Sequence, residues 1–567
     1  MKDTRGKKQM PFARQCQIGR LAPIIVLALI ICLQCVMAVH WGSKKVGYHV
    51  DEMLTFELAN YPDGFVHRTA GVVNGWQDGE FYQEALTATG ERAFQYSIPY
   101  HNQEIDVHPP LYYFVIHTAS SISGTFSKWV GIVPNLIFLA VSSLLLYAIS
   151  VRLLRSPFMA LVTVAFWGLG LGAMSSAVFI RMYAMLTMAC LLLVYVHLCA
   201  AEKLLDGQIC LPQLGILLLS TAFGILTQYY FLIFCLFWCG CWFFALLLKK
   251  KWKTLAAYTA AEGLAIVVSA LIFPKMLAHL FSSSRGQEAF KNAADSSTYG
   301  EHLKKVASII SKQIANGWIK ELLIIAAILI VSYGMYRLYR GRTVQAGDTA
   351  GEFRVSFPLP NAVQVCLTSE RMILWFIAAA SVGYILLVAK IAPYQTDRYY
   401  MCVYPLIALV LLSFLSWLFR LLLRRKTSSR VIVVVLSALI LVCGYRTQSV
   451  NYLYTSWGSR EAALSAYMSY PAVVLNNAYN ALPDRYMCEL ANYTASYRCE
   501  PKDFSSLSPL KGDPHLTEGF LIYAAGMANL STEELFESVC EYLPINTYEL
   551  ITDVDDPVYF CTLEVSK

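Results

Sequence analysis

Residues 211–251 read LPQLGILLLSTAFGILTQYYFLIFCLFWCGCWFFALLLKKK, and the parsing of this stretch decides the fold. One helix needs about 20 apolar residues to cross a hydrocarbon core, and the apolar run 211–248 is nearly twice that length. Its polar break, Thr227-Gln228, divides it into two crossings, and Lys249 to Lys251 close the second on one side of the bilayer. Working outward, further runs of spanning length fall at 21–39, 130–151, 157–174, 183–200, 254–273, 321–339, 371–391, 400–420 and 430–447. With 211–226 and 229–248 they make eleven. The run 111–122 is too short and holds His117, so it reads as an interfacial helix.

Composition agrees. The 567 residues are 57% hydrophobic and 15% charged, against about 45–50% and about 25% in soluble domains. A soluble, disordered, collagenous or coiled-coil chain is excluded. The net charge of +7 sits largely in short basic clusters beside apolar runs, which is how membrane orientation is written rather than nucleic-acid binding. The partner implied is the lipid bilayer, and no nucleic acid.

Those clusters set the topology. Lys2, Arg5, Lys7, Lys8, Arg14 and Arg20 place the tail 1–20 in the cytoplasm. Eleven crossings then put Arg152 with Arg155, Lys249 to Lys253, Arg337 to Arg342 and Arg424 to Arg430 on that same side. The first run resembles a signal sequence in length, but no small-x-small cleavage site clearly follows Val36-Met37-Ala38, and it is taken as a span. The transmembrane domain, 21–447, carries two external loops, 40–129 and 274–320. The second is basic against the rule, and its HLKKVASIISKQIANGW segment (302–318) has the apolar stripe of an amphipathic surface helix.

The remainder, 448–567, is expected to be a small extracytoplasmic α/β domain, with strand-like Ala472 to Leu475 and Gly519 to Tyr523. Ser531-Thr532-Glu533-Glu534 is a capping box opening a helix. Of sixteen cysteines, the four outside the spans and cytoplasmic stretches are Cys488, Cys499, Cys540 and Cys561. An even set on an exported domain predicts two disulfides; of the three pairings, proximity favours Cys488–Cys499 with Cys540–Cys561.

The candidate chemistry collects at one face. His49-Val50-Asp51-Glu52 follows the first span, and a partly buried carboxylate beside another has the raised pKa of a general base. Asp106-Val107-His108-Pro109-Pro110-Leu111-Tyr112-Tyr113 uses two prolines to open the interfacial helix and hold Asp106 and His108 over the surface. Arg181-Met182-Tyr183 and Asp397-Arg398-Tyr399-Tyr400 place two arginines at external span ends, where charge is costly and paired or functional. Guanidinium binds phosphate in bidentate fashion. Gln228-Tyr229-Tyr230 occupies another such end, where tyrosines commonly form the interfacial belt. Together these groups suit attack on a sugar carried by a lipid phosphate: a carboxylate takes the acceptor proton and arginine stabilises the departing phosphate.

These residues resemble the GT-C membrane glycosyltransferases, near the protein O-mannosyltransferase and lipid A aminoarabinose transferase group. The resemblance rests on Asp51-Glu52, His108 to Tyr113, Arg181 to Tyr183 and Arg398-Tyr399, and covers about residues 20–450. It implies the GT-C fold and a polyprenyl-phosphate sugar donor used on the extracytoplasmic face, in a plasma membrane of bacterial type. It also implies Asp51 as catalytic base assisted by Glu52, Arg181 and Arg398 on the lipid phosphate, His108 near the donor, and inversion at the anomeric carbon. The 274–320 loop has no large β-trefoil insertion, so nothing names the acceptor as protein, lipid or wall glycan. No D-x-D pair lies in 175–182, so no metal and no cofactor is expected. The rival reading is a transporter or flippase of a lipid-linked glycan, which would gather ionisable groups at mid-bilayer and show internal repeats.

Overall fold

A computed structural model describes residues 12–315, 317–341, 343–346, 353–356, 369–423 and 426–564. The basic residues Lys2, Arg5, Lys7, Lys8, Arg342, Arg424 and Arg425 lie outside the described residues.

Apolar runs of this length can satisfy their backbone only as helices, and the predicted crossings are helical. Among the described residues, nine helices are long and apolar enough to span, from Leu21–Ser43 to Thr427–Thr447. A shorter one, Leu211–Thr227, ends at Gln228, whose extended backbone makes the predicted break. The run 157–174 differs: it is two helices, Pro157–Gly168 and Leu171–Val178, bent by 56°. The glycines around the break permit it. At Gly168 a Cβ would lie 2.0 Å from Gln34 Nε2, so only glycine lets the first span approach there. Gln34 in turn donates to the Val164 carbonyl at 3.0 Å and accepts from Ser143 at 2.6 Å, tying three spans together. The second limb of the bend delivers Phe179 to Arg181 to the end of the bundle near Asp51.

The span Tyr183–Asp206 is the most enclosed, and Ile319–Tyr336 the least. The short helix Leu111–Ser123 packs Tyr112, Tyr113, Ile116 and His117 inward and does not span. Tyr299–Ala315, the amphipathic segment, buries Val306 and Ile314 against the bundle, so its apolar stripe meets protein.

The tail forms a mixed sheet with one strand from elsewhere. In chain order the strands are β1 (Trp76–Gln77), β2 (Ala472–Asn476), β3 (Ser496–Arg498), β4 (Phe520–Ala525), β5 (Ile545–Thr552) and β6 (Val558–Leu563). Their order across the sheet is β1-β3-β2-β4-β6-β5, with β3, β2 and β4 parallel. Side chains alternate across a strand: Val474, Leu521 and Tyr523 join the large core shared with the bundle, while Val473, Leu475 and Ile522 pack with Leu535, Phe536 and Val539 of helix Thr532–Cys540. β1 comes from the first loop, Trp76 pairing Tyr497, so loop 40–129 and tail 448–567 share one sheet.

The expected disulfides are not formed; all four tail cysteines are free thiols. Cys488 packs with the core on the bundle side of the sheet and Cys499 with the core on its other face, so the sheet itself separates them. Cys540 is exposed at its helix end, whereas Cys561 is buried in β6.

Candidate functional site

His49 caps helix Val50–Asn60, and this cap sorts the two carboxylates. The His49 ring accepts from the Asp51 backbone N–H at 3.0 Å, while Glu52 Oε2 accepts from the His49 N–H at 2.8 Å. Neighbouring residues on a helix point about 100° apart, so the side chains of Asp51 and Glu52 go different ways. Glu52 turns inward, pairs with Lys45 Nζ at 2.9 Å and accepts from the Ile180 N–H at 2.8 Å. It is fully buried, and burial raises its pKa against the pull of Lys45. Glu52 therefore fastens the bent span to the loop and does not share Asp51's pocket.

Asp51 keeps about a quarter of its side chain accessible and lies 3.0 Å from Arg398 Nη1. Burial works against its ionisation, but Arg398, Arg181 and the imidazoles of His49 and His108 outweigh that and hold its pKa below the usual carboxylate range. The raised pKa expected from two adjacent acids is therefore reversed, because guanidinium rather than carboxylate is the nearest charge. Burial, only partly offset by Asp51 and reinforced by Arg398 and Arg181, lowers His49 to about 4.

Arg181 is buried and bonded to neutral acceptors: the Asp51 carbonyl at 3.2 Å, Thr55 at 2.9 Å and Tyr113 at 3.1 Å. Its Nη2 is 3.4 Å from His108 Nε2. His108 Nδ1 lies 2.7 Å from Asp106, so a proton on Nδ1 leaves Nε2 free to accept from Arg181. Burial opposes the Asp106 charge too, yet His108 and Arg181 pull its pKa down. The prolines place this acid and imidazole beside the arginine.

Arg398 sits 5.7–5.8 Å from the ring centres of Phe179, Tyr394 and Tyr399 and donates to Tyr394 Oη at 2.8 Å. Tyr230 packs edge-on against Tyr399, and Tyr183 stacks on Phe179. The Nε atoms of both arginines are buried and have no partner among the described residues. Tyr229 bonds His279 at 3.0 Å, at the side of the pocket nearer Asp106. Tyr112 points away: its hydroxyl reaches Asn135 at 3.2 Å, and Asn135 holds the Phe179 carbonyl at 2.7 Å, so Tyr112 braces the loop carrying Arg181.

Sequence reasoning missed several neighbours. His49, Thr55 and Tyr113 lie within or just beyond the motifs, and helical spacing could have added Thr55 four residues after Asp51. Tyr394 precedes Arg398 by four. Tyr479 and Arg485 of the tail carried no such signal; the turn Leu482–Tyr486 packs on helix Val50–Asn60, bringing Arg485 near His49 and Tyr479 near Asp51.

Among the described residues, two donor triads have ligand atoms within 4.8 Å of one another: Glu57, His67 and Asp484, and His197, Cys239 and Glu262. Neither includes Asp51. In the first, Arg498 already lies 2.6 Å from Asp484. The second lies within spans, where Thr221 donates to Glu262 at 2.8 Å.

Fold and site define a multi-pass membrane protein with a carboxylate, two guanidinium groups and an aromatic wall at one end of its bundle. No family model and no curated protein matches the chain. Among solved structures it is similar to ArnT from Cupriavidus metallidurans bound to undecaprenyl phosphate, at 11% identity and a TM-score of 0.49, over 94% of this chain and 97% of that one. It is also similar to the oligosaccharyltransferase AglB from Archaeoglobus fulgidus in complex with an inhibitory peptide and a dolichol-phosphate, at 10% identity and a TM-score of 0.44, over 95% of this chain and 74% of that one.

Proposed function

We propose that this chain is a GT-C type glycosyltransferase that moves a hexosyl or pentosyl group from a polyprenyl-phosphate donor to an acceptor hydroxyl. The reaction takes place on the extracytoplasmic face of a plasma membrane, with the N-terminus cytoplasmic and the tail outside. The observation that carries the reading is Arg181: a buried guanidinium whose hydrogen bonds end on neutral groups, with the charges of Asp51 and Asp106 nearby but not bonded to it, beside an Asp51–Arg398 pair. Such a cation is costly unless something anionic shares it, and a lipid phosphate at the bilayer surface supplies that charge.

The chemistry follows from a change of partner. The donor phosphate takes the guanidinium groups of Arg398 and Arg181, and the attraction that depresses the Asp51 pKa is then shared with the ligand. What remains is burial, which favours the protonated acid. Asp51 thereby becomes the better base when donor is bound. One Asp51 carboxylate oxygen removes the proton of the acceptor hydroxyl as that oxygen attacks the anomeric carbon. The bond from anomeric carbon to phosphate oxygen breaks, and the phosphate leaves with its electron pair, stabilised by the two arginines. Displacement from the opposite side inverts the configuration. His108 and Asp106 hold Arg181 in place. Because the arginines supply the positive charge and Asp51 the base, no metal or other cofactor is required in this scheme.

The transporter reading gains one observation: Glu262 and His197, 3.8 Å apart, lie within the spans. A single experiment separates the readings. Radiolabelled polyprenyl-phosphate sugars are supplied to membranes holding the wild type or Asp51→Asn, and lipid-phosphate release and label transfer are followed. Turnover that the substitution abolishes supports the transferase; flipping without transfer in the wild type favours the rival.

A further inference from the structure

The parallel strands of the tail sheet end in a pocket that the transferase scheme does not use. In open sheets, ligands bind in the crevice beyond the carboxyl ends of parallel strands. Here β2 ends at Asn476 and β3 at Arg498, and a 270 Å³ cavity opens there, closed on its far side by residues 67–73 of the first loop. The cavity is therefore built from both external segments.

Its lining carries two guanidinium groups, Arg68 and Arg498, against one carboxylate, Glu500, with His67, Asn476 and Asn480 as further polar groups. Arg498 is 2% exposed and its Nη2 is held 2.6 Å from Asp484 Oδ1, while its Nη1 is buried and has no partner among the described residues. The same Asp484 lies 2.6 Å from His67 Nδ1, which orients that ring with Nε2 away from the acid. A fixed guanidinium with a free N–H is suited to the planar, charge-assisted geometry of an oxyanion. Arg68, exposed at the rim and packed on Phe65, supplies a second, adjustable cation.

We propose that this pocket is a binding site for one oxyanion group, a carboxylate or phosphate monoester, presented from solution to the external domain. The group lies between Arg498 and Arg68, and Glu500 limits its affinity by repulsion. This inference does not depend on the transferase reading, since none of these side chains contacts Asp51, Arg181 or Arg398.

The test uses the full-length protein in nanodiscs, titrated calorimetrically with inorganic phosphate, glucuronate and glucose. Phosphate and glucuronate should both bind. Arg68→Ala should weaken both about tenfold, the loss of one charge-assisted contact of about 1.4 kcal/mol. Glu500→Gln should tighten both, a gain that a merely structural glutamate would not give. Arg398→Ala should leave this binding intact, which separates the pocket from the one beside Asp51. Binding of phosphate alone would identify the free ion as ligand, and binding of glucuronate alone an anionic sugar; either fits the site. Equal binding of glucose, or binding lost in Arg398→Ala and kept in Arg68→Ala, would overturn the proposal. So would weaker binding in Glu500→Gln, or no binding of either anion by a wild type whose melting transition is intact.

Discussion

Arg398 and Arg460 have nearly the same surroundings and different kinds of partner, although each leaves one buried nitrogen without a partner among the described residues, Nε in Arg398 and Nη2 in Arg460. Each guanidinium lies within 6 Å of three aromatic ring centres: Phe179, Tyr394 and Tyr399 around Arg398, and Trp457, Tyr486 and Tyr523 around Arg460. Each also meets one carboxylate. Arg460, however, gives its Nε to both oxygens of Glu489 at 2.9 and 3.1 Å and its Nη1 to the carbonyls of Val554 and Asp556. Arg398 meets Asp51, Tyr394 and, at 3.3 Å, His49 Nε2, all side chains and none a backbone carbonyl, and Asp51 remains partly open. The lesson is that an aromatic cage does not define a role. A guanidinium bonded to backbone carbonyls and to both oxygens of one carboxylate holds the tail together, and one held by side chains, with its carboxylate partly open, can exchange that carboxylate for a ligand.

Four substitutions or titrations sharpen the contrast, in order of decreasing effect. Asp51→Asn should lower transfer by about 10²–10⁴-fold, the usual contribution of a general base, with a smaller drop in melting temperature than Glu489→Gln, because Asp51 is partly open to solvent. Glu489→Gln strands the buried Arg460 and should cost about 3–5 kcal/mol of stability. Thermal melts would register that loss, while transfer per folded molecule persists. Arg398→Lys keeps the charge but loses the planar fork, and kcat/KM should fall by about 10²–10³-fold with little change in melting. If Arg398→Lys instead unfolds the protein and Glu489→Gln silences it, the two arginines have been assigned the wrong way round.

The fourth concerns pH. His49 has a folded pKa of about 4 against an unfolded value of about 6.5. A group with a depressed folded pKa contributes stability above its unfolded pKa and loses it as protons bind the unfolded chain. Stability should therefore fall as pH drops from about 6.5 towards 4, and Asp51, also depressed, adds to the loss at the acid end. His49→Gln should flatten the upper part of that slope in melts taken across the range.

Much of this could be read from residues alone because a membrane enforces simple rules. Span length and the break at Thr227-Gln228 are one-dimensional signals, and the helices follow them. The bend between Gly168 and Leu171 was not legible, since a glycine-rich apolar run is equally good as one straight helix. Asp51, His108, Arg181 and Arg398 were found as charges beside spans, and the structure brings them into one pocket. Glu52 was grouped with Asp51 because the two are adjacent, yet a helix turns adjacent side chains apart, and only the cap at His49 reveals which one faces in. Tyr479 and Arg485 could not be found, because a sheet that borrows Trp76 from a distant loop is a contact of long sequence separation. The pairing Cys488–Cys499 failed for a related reason: parity and spacing count cysteines, but these two lie on opposite faces of the sheet.

The most direct measurement is the affinity of polyprenyl phosphate for the purified wild type and Asp51→Asn. If Asp51 and the ligand compete for Arg398, removing the carboxylate charge should tighten binding several-fold, by about 1 kcal/mol, while sugar transfer disappears. Weaker binding by Asp51→Asn, or transfer at the wild-type rate, would contradict the account.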